Sequence, residues 1–510
     1  MFKILDCTLR DGGYYTNWDF DTAQVDTYIQ SLNRLPVEYI ELGYRSHPMK
    51  AYHGKYFYCP VYELERIKKL SNKKLAVILN EKEVSAQNVG DLLQPCSGLV
   101  DLVRIAVTPQ NLGNSLALAE KIKTVGFEVA LNVMYMSKWP QQNNLPTNLK
   151  QLDGLADYFY MVDSYGGVYP EDVKQTIAMV REHTLCKIGF HGHNNLELAL
   201  INTLSAIDNG ADIVDATILG MGRGAGNLKT ELLLSVLNTK HQLQVDFNAL
   251  GNAVDCFEPL LQKHQWGTNV PYMISGTNSL PQKDVMDWVT TRLYSFNSIV
   301  RALQNQKNNI SDNQKCELFK PQKQYSKVLI IGGGPSATSH ADAVKQFISR
   351  FDDIALVHAS SKNSASYKDL DVDQFYCLVG NEGDRLEKAF ARAPFNGTCV
   401  LPPYPRKMGT YVPPFVSEKA FEVEKVTFTD KVTDSHAALA LQTALELKPN
   451  EIFIIGYDGY AGGINETQMT LIQENEYLFG EFEKYAGIKL QSLTPTRYKK
   501  LNVSSVYTFI

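Results

Sequence analysis

The amino-acid sequence predicts an α/β protein of 510 residues, in which a (β/α)8 barrel precedes a second α/β unit. Over the first 220 residues, short runs rich in β-branched and aromatic residues alternate with longer amphipathic stretches, which is typical of parallel sheets. Near residue 331 a strand opens directly into three glycines, and this marks the second unit. Because the chain is longer than one ordinary domain, two or three domains are expected.

Eight strands are predicted in the first part of the chain, and helices fill the gaps between them. The strands cover residues 4–9, 39–44, 75–80, 102–108, 128–135, 158–163, 187–193 and 213–219. The clearest helical candidates cover residues 61–70, 115–125, 170–183 and 196–209. Eight strands that alternate with helices favour a closed TIM barrel over residues 1–240, although an open doubly wound sheet follows the same pattern.

Two further regions follow the barrel. Residues 241–320 carry no clear strand signal and are predicted to form a helical extension. Residues 326–510 are predicted to form a Rossmann-like α/β domain, with strands at 327–331, 374–379 and 451–455. A nicotinamide cofactor is not expected there, because residue 337 is alanine where the dinucleotide fingerprint needs glycine.

Composition excludes several classes of function. The formal net charge of −5 gives no general electrostatic reason to bind nucleic acid or an anionic membrane. No apolar run approaches the roughly 18 residues that a membrane-spanning helix needs. The eight cysteines are scattered without a Cys-x-x-Cys pair, so neither a disulfide framework nor a cysteine zinc site is indicated. A cytoplasmic protein is the expectation.

Charged side chains recur where the predicted barrel strands end, and the carboxyl ends of all strands meet at one mouth. Arg10 and Asp11 end the first strand, and His191 and His193 end the seventh. Alternate residues of a strand point to the same side, so the two imidazoles face one direction. One carboxylate and two imidazoles suit a divalent metal with open positions, whereas the histidines alone fit a hydrogen-bonded pair equally well.

Two arginines near strand ends are candidates for substrate binding. Arg45 follows the second strand and Arg104 lies in the fourth. A guanidinium binds a carboxylate or phosphate with two parallel hydrogen bonds, but a structural ion pair is an equal alternative for both. A Schiff-base mechanism is disfavoured, because Lys3 and Lys187 stand at the starts of strands, away from the mouth.

Three motifs resemble the DRE-TIM metallolyases, a family that includes hydroxymethylglutaryl-CoA lyase, isopropylmalate synthase and 4-hydroxy-2-oxovalerate aldolase. They are Asp6-Cys7-Thr8-Leu9-Arg10-Asp11-Gly12-Gly13, His191-Gly192-His193-Asn194-Asn195 and the glycine-rich loop from Gly220 to Asn227. The resemblance implies that Asp11, His191 and His193 bind Mn²⁺, Mg²⁺ or Zn²⁺, with Asn227 as a further ligand. It also implies that Arg10 stabilises an enolate oxygen, and that Asp163 and Ser164 orient a ligand histidine or contact substrate.

The general base is where this chain departs from the aldolases it resembles. Those aldolases carry a histidine just after Arg-Asp-Gly, and this chain has Gly13-Tyr14-Tyr15 there. Glu41, Tyr14 with a lowered pKa, and a metal-bound water are the alternatives. Gly12 replaces the acidic residue of the lyases and synthases, which aligns the chain with the aldolase branch.

The resemblance implies a divalent-metal-dependent aldolase or lyase that makes or cleaves a carbon–carbon bond through a metal-bound enolate of a 2-oxo acid. Pyruvate is the favoured acid, and an aldehyde is the second small-molecule partner. The alternatives are an acyl-CoA-dependent Claisen condensation of the isopropylmalate synthase type, and an inactive barrel scaffold attached to a sugar-nucleotide-binding domain. The oligomeric state stays open, a homo-oligomer included.

The last part of the chain carries a second, shorter resemblance. Its glycine-rich turn at residues 332–336, Thr433-Asp434-Ser435-His436 and Ile455-Gly456-Tyr457-Asp458-Gly459 are similar to bacterial sialyltransferase-like and flagellin-modification domains. Those domains bind cytidine-monophosphate sugars, which implies that Gly334, Ser336 and Asp458 touch a nucleotide or sugar nucleotide. A nucleotide-free scaffold is the alternative.

Overall fold

The structure, a computed structural model, describes residues 2–142, 144–291, 294–390, 393–463 and 465–510. The chain divides into two compact units, Met1–Thr290 and Thr291–Ile510. The domain boundaries predicted near residues 240 and 326 stay predictions. Within the described ranges, no helix is both long enough and apolar enough to cross a membrane.

In the first unit, eight strands of the described residues close into a parallel barrel in chain order, which confirms the predicted fold. The first strand pairs with both the second and the eighth, and this closes the barrel. The strands are β1 (Lys3–Asp6), β2 (Tyr39–Tyr44), β3 (Lys74–Asn80), β4 (Leu102–Val107), β5 (Glu128–Val133), β6 (Tyr158–Asp163), β7 (Lys187–Gly192) and β8 (Ile213–Ala216).

Helices connect the strands and continue after them. They are α1 (Thr8–Thr16), α2 (Thr22–Asn33), α3 (Lys55–Tyr58), α4 (Val61–Leu70), α5 (Val89–Leu93), α6 (Leu112–Val125), α7 (Leu145–Leu149), α8 (Pro170–Arg181), α9 (Ala199–Asp208), α10 (Thr230–Lys240), α11 (Phe247–His264), α12 (Val270–Thr277) and α13 (Gln282–Thr291). Local chemistry sets several ends. Asp21 caps α2 by accepting hydrogen bonds from the backbone N–H groups of Ala23 and Gln24. Helix α6 ends where Gly126 adopts a φ of 104°.

The interior of the barrel is packed with side chains from its strands. They form one buried cluster, which consists of Leu5, Cys7, Tyr39, Ala76, Leu102, Ala130, Tyr158, Tyr160, Val162 and Ile213. A larger apolar layer joins the strands to the surrounding helices and includes Ile40, Val77, Ile29, Leu64 and Leu233. The barrel is therefore a solid core, and open space for a ligand is left at its mouth.

The prediction for the end of the first strand was wrong. Strand β1 ends at Asp6, and Arg10 and Asp11 lie in helix α1 rather than in the strand. The buried Asp6 carboxylate turns the chain, because it accepts hydrogen bonds from the backbone N–H and the hydroxyl of Thr8. Strand β8 likewise ends at Ala216, earlier than predicted. Arg10 and Asp11 still reach the mouth, since α1 starts at the carboxyl end of β1.

The second unit contains a parallel sheet of nine described strands in the order β17-β16-β15-β10-β11-β12-β13-β14-β9. Its strands are β9 (Glu317–Leu318), β10 (Lys327–Ile331), β11 (Ile354–His358), β12 (Gln374–Cys377), β13 (Thr398–Leu401), β14 (Ala420–Glu422), β15 (Glu451–Ile455), β16 (Leu490–Ser492) and β17 (Asn502–Val503). Its helices are α14 (Phe296–Lys307), α15 (Ser336–Ser339), α16 (Ala341–Ile348), α17 (Glu382–Phe390), α18 (His436–Glu446) and α19 (Glu466–Ala486). The strand order reverses at β10, which makes the β10–β15 edge the topological switch point of a Rossmann-like sheet.

Candidate active site and metal centre

Four predicted metal ligands converge at the barrel mouth. Nε2 of His191 lies 3.6 Å from Oδ2 of Asp11, and the rings of His191 and His193 are 4.9 Å apart between centroids. Asn227 donates a hydrogen bond of 2.7 Å from its side-chain amide to the same Asp11 oxygen. The loop after β8 places Asn227 opposite His193, because the two residues form an isolated β-bridge. The structure thus brings together residues from α1, β7 and the glycine-rich loop.

Two acceptors fix the orientation of the imidazoles. Nδ1 of His191 lies 2.8 Å from the Asp215 carboxylate, and Nδ1 of His193 lies 2.8 Å from the carbonyl oxygen of Asp163. A carbonyl oxygen can only accept a hydrogen bond, so Nδ1 of His193 carries the proton. The lone pair of Nε2 is therefore free. Burial and the neighbouring His191 lower the pKa of His193 to about 3, so this imidazole is neutral near pH 7. Neutral, oriented imidazoles are the form that binds metal.

The carboxylate of the site is ionised. Burial by itself would raise the pKa of Asp11, but the neighbouring Arg10 guanidinium holds it below the ordinary value. Arg10 pairs with Asp11 through Nη1 and donates from Nε to Glu41 over 2.8 Å. A negative carboxylate next to imidazole nitrogens is a charge pattern that suits a divalent cation.

An unpaired oxygen shows that the site fits a metal. Oδ1 of Asn227 is buried and has no hydrogen-bond partner among the residues that the structure describes. Buried polar atoms are almost always satisfied, and an unsatisfied one indicates an ion or water that completes it. With the Asp11 carboxylate and the free nitrogens of His191 and His193, the donor set is the oxygen and nitrogen set of a divalent transition metal or Mg²⁺.

Cys7 is a member of this cluster that sequence reasoning missed. One ligand atom each from Cys7, Asp11 and His191 lies within 4.8 Å of the others. Burial raises the pKa of the Cys7 thiol well above its ordinary value, so the sulfur keeps its proton. Cys7 is four residues before Asp11, and that helical spacing is the signal that would have found it.

A chain of buried ion pairs joins Arg10 to the metal ligands. Glu41 accepts 2.8 and 2.9 Å hydrogen bonds from Arg10 and Arg104, both on Oε2. Arg104 also donates to Asp215 over 2.5 Å, and Asp215 holds His191. Arg104, Glu41 and Asp215 are almost completely shielded from solvent. This Arg10–Glu41–Arg104–Asp215–His191 chain fixes the positions of both Arg10 and His191.

The structure assigns structural partners to both arginines that were predicted to bind substrate. Arg104 is completely buried in the ion-pair chain and also donates to Asn132 over 3.1 Å. Arg45 donates to the backbone carbonyls of Leu92 and Tyr58, each over 2.9 Å. Neither lines the cavity at the mouth. The contacts of Arg104 match the ion-pair alternative of the sequence prediction, whereas Arg45 is held by backbone carbonyls instead of a carboxylate.

Asp163 and Ser164 lie at the end of β6, beside His193. The Asp163 carboxylate accepts hydrogen bonds from the backbone N–H groups of Gly167 and Val168, and burial raises the pKa of Asp163 to about 6. The Ser164 hydroxyl accepts a 2.9 Å hydrogen bond from the N–H of Tyr135 and faces the cavity. The backbone carbonyl of Asp163 orients His193, while the Ser164 hydroxyl is available to a ligand.

The mouth contains a cavity of about 320 Å³ next to the metal ligands. Tyr14 and Tyr44 lie on its wall, and their hydroxyl oxygens are 3.1 Å apart. Glu41 does not line this cavity. The full lining consists of Arg10, Asp11, Tyr14, Tyr44, Ile78, Ala106, Asn132, Met134, Tyr135, Val162, Ser164, Tyr165, His191, His193, Arg223, Pro281, Gln282 and Lys283.

The three nucleotide candidates of the second unit come together at its switch point. The Asp458 carboxylate accepts a 2.9 Å hydrogen bond from the N–H of Ser336 and another from its hydroxyl. The N–H of Gly334 donates to the carbonyl of Gly456 over 2.7 Å. These donors are therefore satisfied within the protein, and the nucleotide contact stays a prediction.

The barrel and the donor set at its mouth define a class, the divalent-metal-dependent enzymes that make or break carbon–carbon bonds. A family model described as HMGL-like matches residues 1–256. The chain belongs to the HMGL-like family, which confirms the resemblance drawn from the three motifs. It is an enzyme of carbon–carbon bond chemistry, and the donors at the mouth of its barrel fit a divalent metal.

Named relatives and a solved structure agree with this family. The chain is 31% identical to a 4-hydroxy-2-oxovalerate aldolase from Moorella thermoacetica over 280 residues, which are 53% of this chain and 81% of the relative. It is 28% identical to an oxaloacetate decarboxylase from Mycobacterium tuberculosis over 261 residues, 49% of this chain and 74% of that protein. It is also 58% identical to the crystallised N-terminal domain of a candidate aldolase from Bacteroides vulgatus, with a TM-score of 0.57, covering 59% of this chain and all of that one.

Proposed function

We propose that this enzyme is an aldolase that joins pyruvate to an aldehyde, or cleaves the resulting 4-hydroxy-2-oxo acid. One observation carries the proposal: Asp11, His191 and His193 line a cavity that Arg10 also lines, and Asn227 is hydrogen-bonded to Asp11 beside it. Two relatives support it, because 4-hydroxy-2-oxovalerate and oxaloacetate both contain a pyruvate unit bonded at its third carbon.

The four donors would hold the metal, and when bound it supplies a Lewis acid for the oxygens of the 2-oxo acid. Arg10 adds a guanidinium that stays charged at any physiological pH. Because Glu41 and Asp11 hold it in place, this charge meets negative charge developing on the oxo group without reorganisation. Glu41 is therefore proposed as a positioning residue for Arg10 rather than as the general base.

Tyr14 is proposed as the group that moves the proton of the 4-hydroxyl. Burial raises the pKa of Tyr44 well above its ordinary value, so Tyr44 keeps its proton and can donate it to Oη of Tyr14. The Tyr14 hydroxyl hydrogen is then free to point into the cavity. A phenol in this position donates to the aldehyde oxygen when the bond forms and takes the proton back when it breaks.

The glycine at position 12 also disfavours the acyl-CoA-dependent alternative. A Cβ atom added at Gly12 would come within 2.5 Å of Sδ of Met221, so an acidic side chain does not fit there without movement of Met221. An acidic residue at this position is typical of the lyase and synthase branches of the family. A glycine at position 12, packed against Met221, is consistent with the proposed aldolase.

Exchange of the pyruvate methyl protons with deuterated water tests the proposal, since an aldolase forms the enolate without needing an aldehyde. We expect exchange with added Mn²⁺, Mg²⁺ or Zn²⁺ that is lost with a chelator and in His193→Ala. His183→Ala is the matched control, because His183 follows α8 and bonds to the carbonyl of Met179 in that helix, outside the cavity. Wild-type protein that shows no exchange with any of these metals would overturn the proposal.

A further inference from the structure

Two positively charged side chains of the cavity are not needed to hold the metal. Arg223 and Lys283 line the same 320 Å³ space as Arg10 and Asp11. Among the described residues of the lining, Asp11 is the single carboxylate, and Arg10 and Asn227 already contact it. Neither Arg223 nor Lys283 forms an ion pair with any residue in the described part of the chain. Their charges are therefore available to a ligand.

Arg223 is held next to the proposed proton donor. It lies in the glycine-rich loop, and the loop is tied down because Tyr15 donates a 3.1 Å hydrogen bond to the carbonyl of Gly224. The Arg223 guanidinium carbon lies 5.3 Å from the centre of the Tyr14 ring. A cation over an aromatic face is attracted to it, which restrains the side chain without neutralising its charge.

Lys283 comes from a separate element that packs on the same loop. It is the second residue of α13, and the preceding Gln282 is buried. Gln282 accepts a 3.1 Å hydrogen bond from Asn195 and donates one of 3.0 Å to Ser275. A Cβ atom on Gly224 would lie 3.0 Å from the Gln282 side-chain oxygen, so the start of α13 sits against the Arg223 loop. The chain thus places both residues on the same side of the mouth, with the Lys283 side chain exposed to solvent.

From this placement we infer that the second substrate is an aldehyde that carries an anionic group, a carboxylate or a phosphate, and that Arg223 and Lys283 bind that group. The inference rests on the proposed function. The metal ligands and Arg10 receive the 2-oxo acid, so the space by Tyr14 and Arg223 is what remains for the aldehyde. A small neutral aldehyde would leave two charges at the mouth without a counter-ion, whereas an anion forms charge-assisted hydrogen bonds with them.

The bond-forming step balances without a redox partner. The third carbon of pyruvate loses a proton and forms a bond to the aldehyde carbon, and the aldehyde oxygen takes up a proton. The product is a 4-hydroxy-2-oxo acid whose far end carries the anionic group. Arg223 and Lys283 recognise that end in both directions and are specificity-determining residues rather than catalytic ones.

The test compares charged and neutral aldehydes of similar size as partners for pyruvate, with holoenzyme and saturating metal. Succinic semialdehyde against butanal tests the carboxylate, and glyceraldehyde 3-phosphate against glyceraldehyde tests the phosphate. We expect kcat/KM to favour at least one charged aldehyde by about 10- to 100-fold, as charge-assisted hydrogen bonds predict. In Arg223→Gln and Lys283→Gln, the ratio of kcat/KM for the charged aldehyde to that for the neutral one should shrink towards one. Lys240→Gln on α10 is the control, because it removes a charge from the exposed Lys240–Asp208 pair, and this variant should keep the ratio of the wild type.

The outcomes separate this inference from the proposed function. Wild-type protein that exchanges pyruvate protons but accepts neutral and charged aldehydes equally overturns the inference and leaves the proposed function standing. A ratio that Arg223→Gln and Lys283→Gln both leave unchanged also overturns it. Protein without metal-dependent exchange overturns both. Thermal unfolding of each variant shows whether a change in the ratio comes from a folded protein.

Discussion

Replacement of Glu41 by glutamine distinguishes a positioning carboxylate from a general base. Glu41 is completely buried, and its Oε2 accepts from Arg10 and Arg104. Removing one partner of a buried ion pair costs about 3–5 kcal/mol, because the other charge stays buried without compensation. Glutamine keeps one accepting oxygen, so we expect Glu41→Gln to lower the free energy of unfolding by about 3 kcal/mol.

Urea unfolding followed by tryptophan fluorescence measures this loss in the barrel unit, since all four tryptophans precede residue 291. Proton exchange from pyruvate measures function in the same samples. Glu63→Gln is the matched control, because Glu63 is also buried and bonds to Arg66 and Tyr56, away from the cavity. It should destabilise the protein but leave exchange unaffected.

If Glu41 positions Arg10, exchange in Glu41→Gln falls in rate but keeps the pH dependence of the wild type. A general base contributes about 100- to 10,000-fold to such a rate. Loss of exchange on that scale, combined with a stability change below about 1 kcal/mol, would refute the positioning role and make Glu41 the base.

Three other outcomes follow from the structure. Tyr14→Phe should reduce aldol cleavage by about 100-fold, with Tyr62→Phe, at an exposed position on α4, close to wild type; equal losses would argue against proton transfer by Tyr14. Asp215→Asn, which loosens His191, should weaken Mn²⁺ binding by about 10- to 100-fold in a calorimetric titration, and unchanged affinity would contradict the orienting role. Burial lowers the pKa of His358 to about 4, so the second unit binds fewer protons folded than unfolded. Its stability should be complete above pH 6.5 and decrease by about 3 kcal/mol as the pH falls towards 4, and circular dichroism in urea should show a flatter dependence in His358→Phe.

Much of the barrel was predictable, because each strand can be recognised from its own short run of buried apolar residues. Strands β2 and β6 have the predicted bounds, since each is a continuous buried run of the kind that parallel sheets contain. Helix α1 was not predictable, because its Thr-Leu-Arg-Asp-Gly-Gly sequence contains poor helix formers. Contacts from distant parts of the chain stabilise it, among them Thr230 and Tyr28, which both donate to Asp6.

In the candidate site, some residues were likewise predictable from the local sequence, and the roles of others become visible only in the folded barrel. Asp11, His191 and His193 could be found because each stands in a short motif near a strand end. The roles of Glu41 and Arg104 could not, because their pairing joins residues separated by 63 positions in the chain. A charged residue at a strand end has the same local sequence whether it faces substrate or a buried counter-ion, and only the packed barrel distinguishes the two.

The buried ion-pair chain also has a consequence for the order in which ligands bind. Among the ion-paired groups next to the metal ligands, the guanidiniums of Arg10 and Arg104 are outnumbered by the carboxylates of Asp11, Glu41 and Asp215, which leaves one net negative charge there. A divalent cation reverses that sign, and a monoanionic 2-oxo acid then restores neutrality. Because this local charge favours a cation and opposes an anion on the same donors, the metal is expected to bind before the 2-oxo acid and to leave after it.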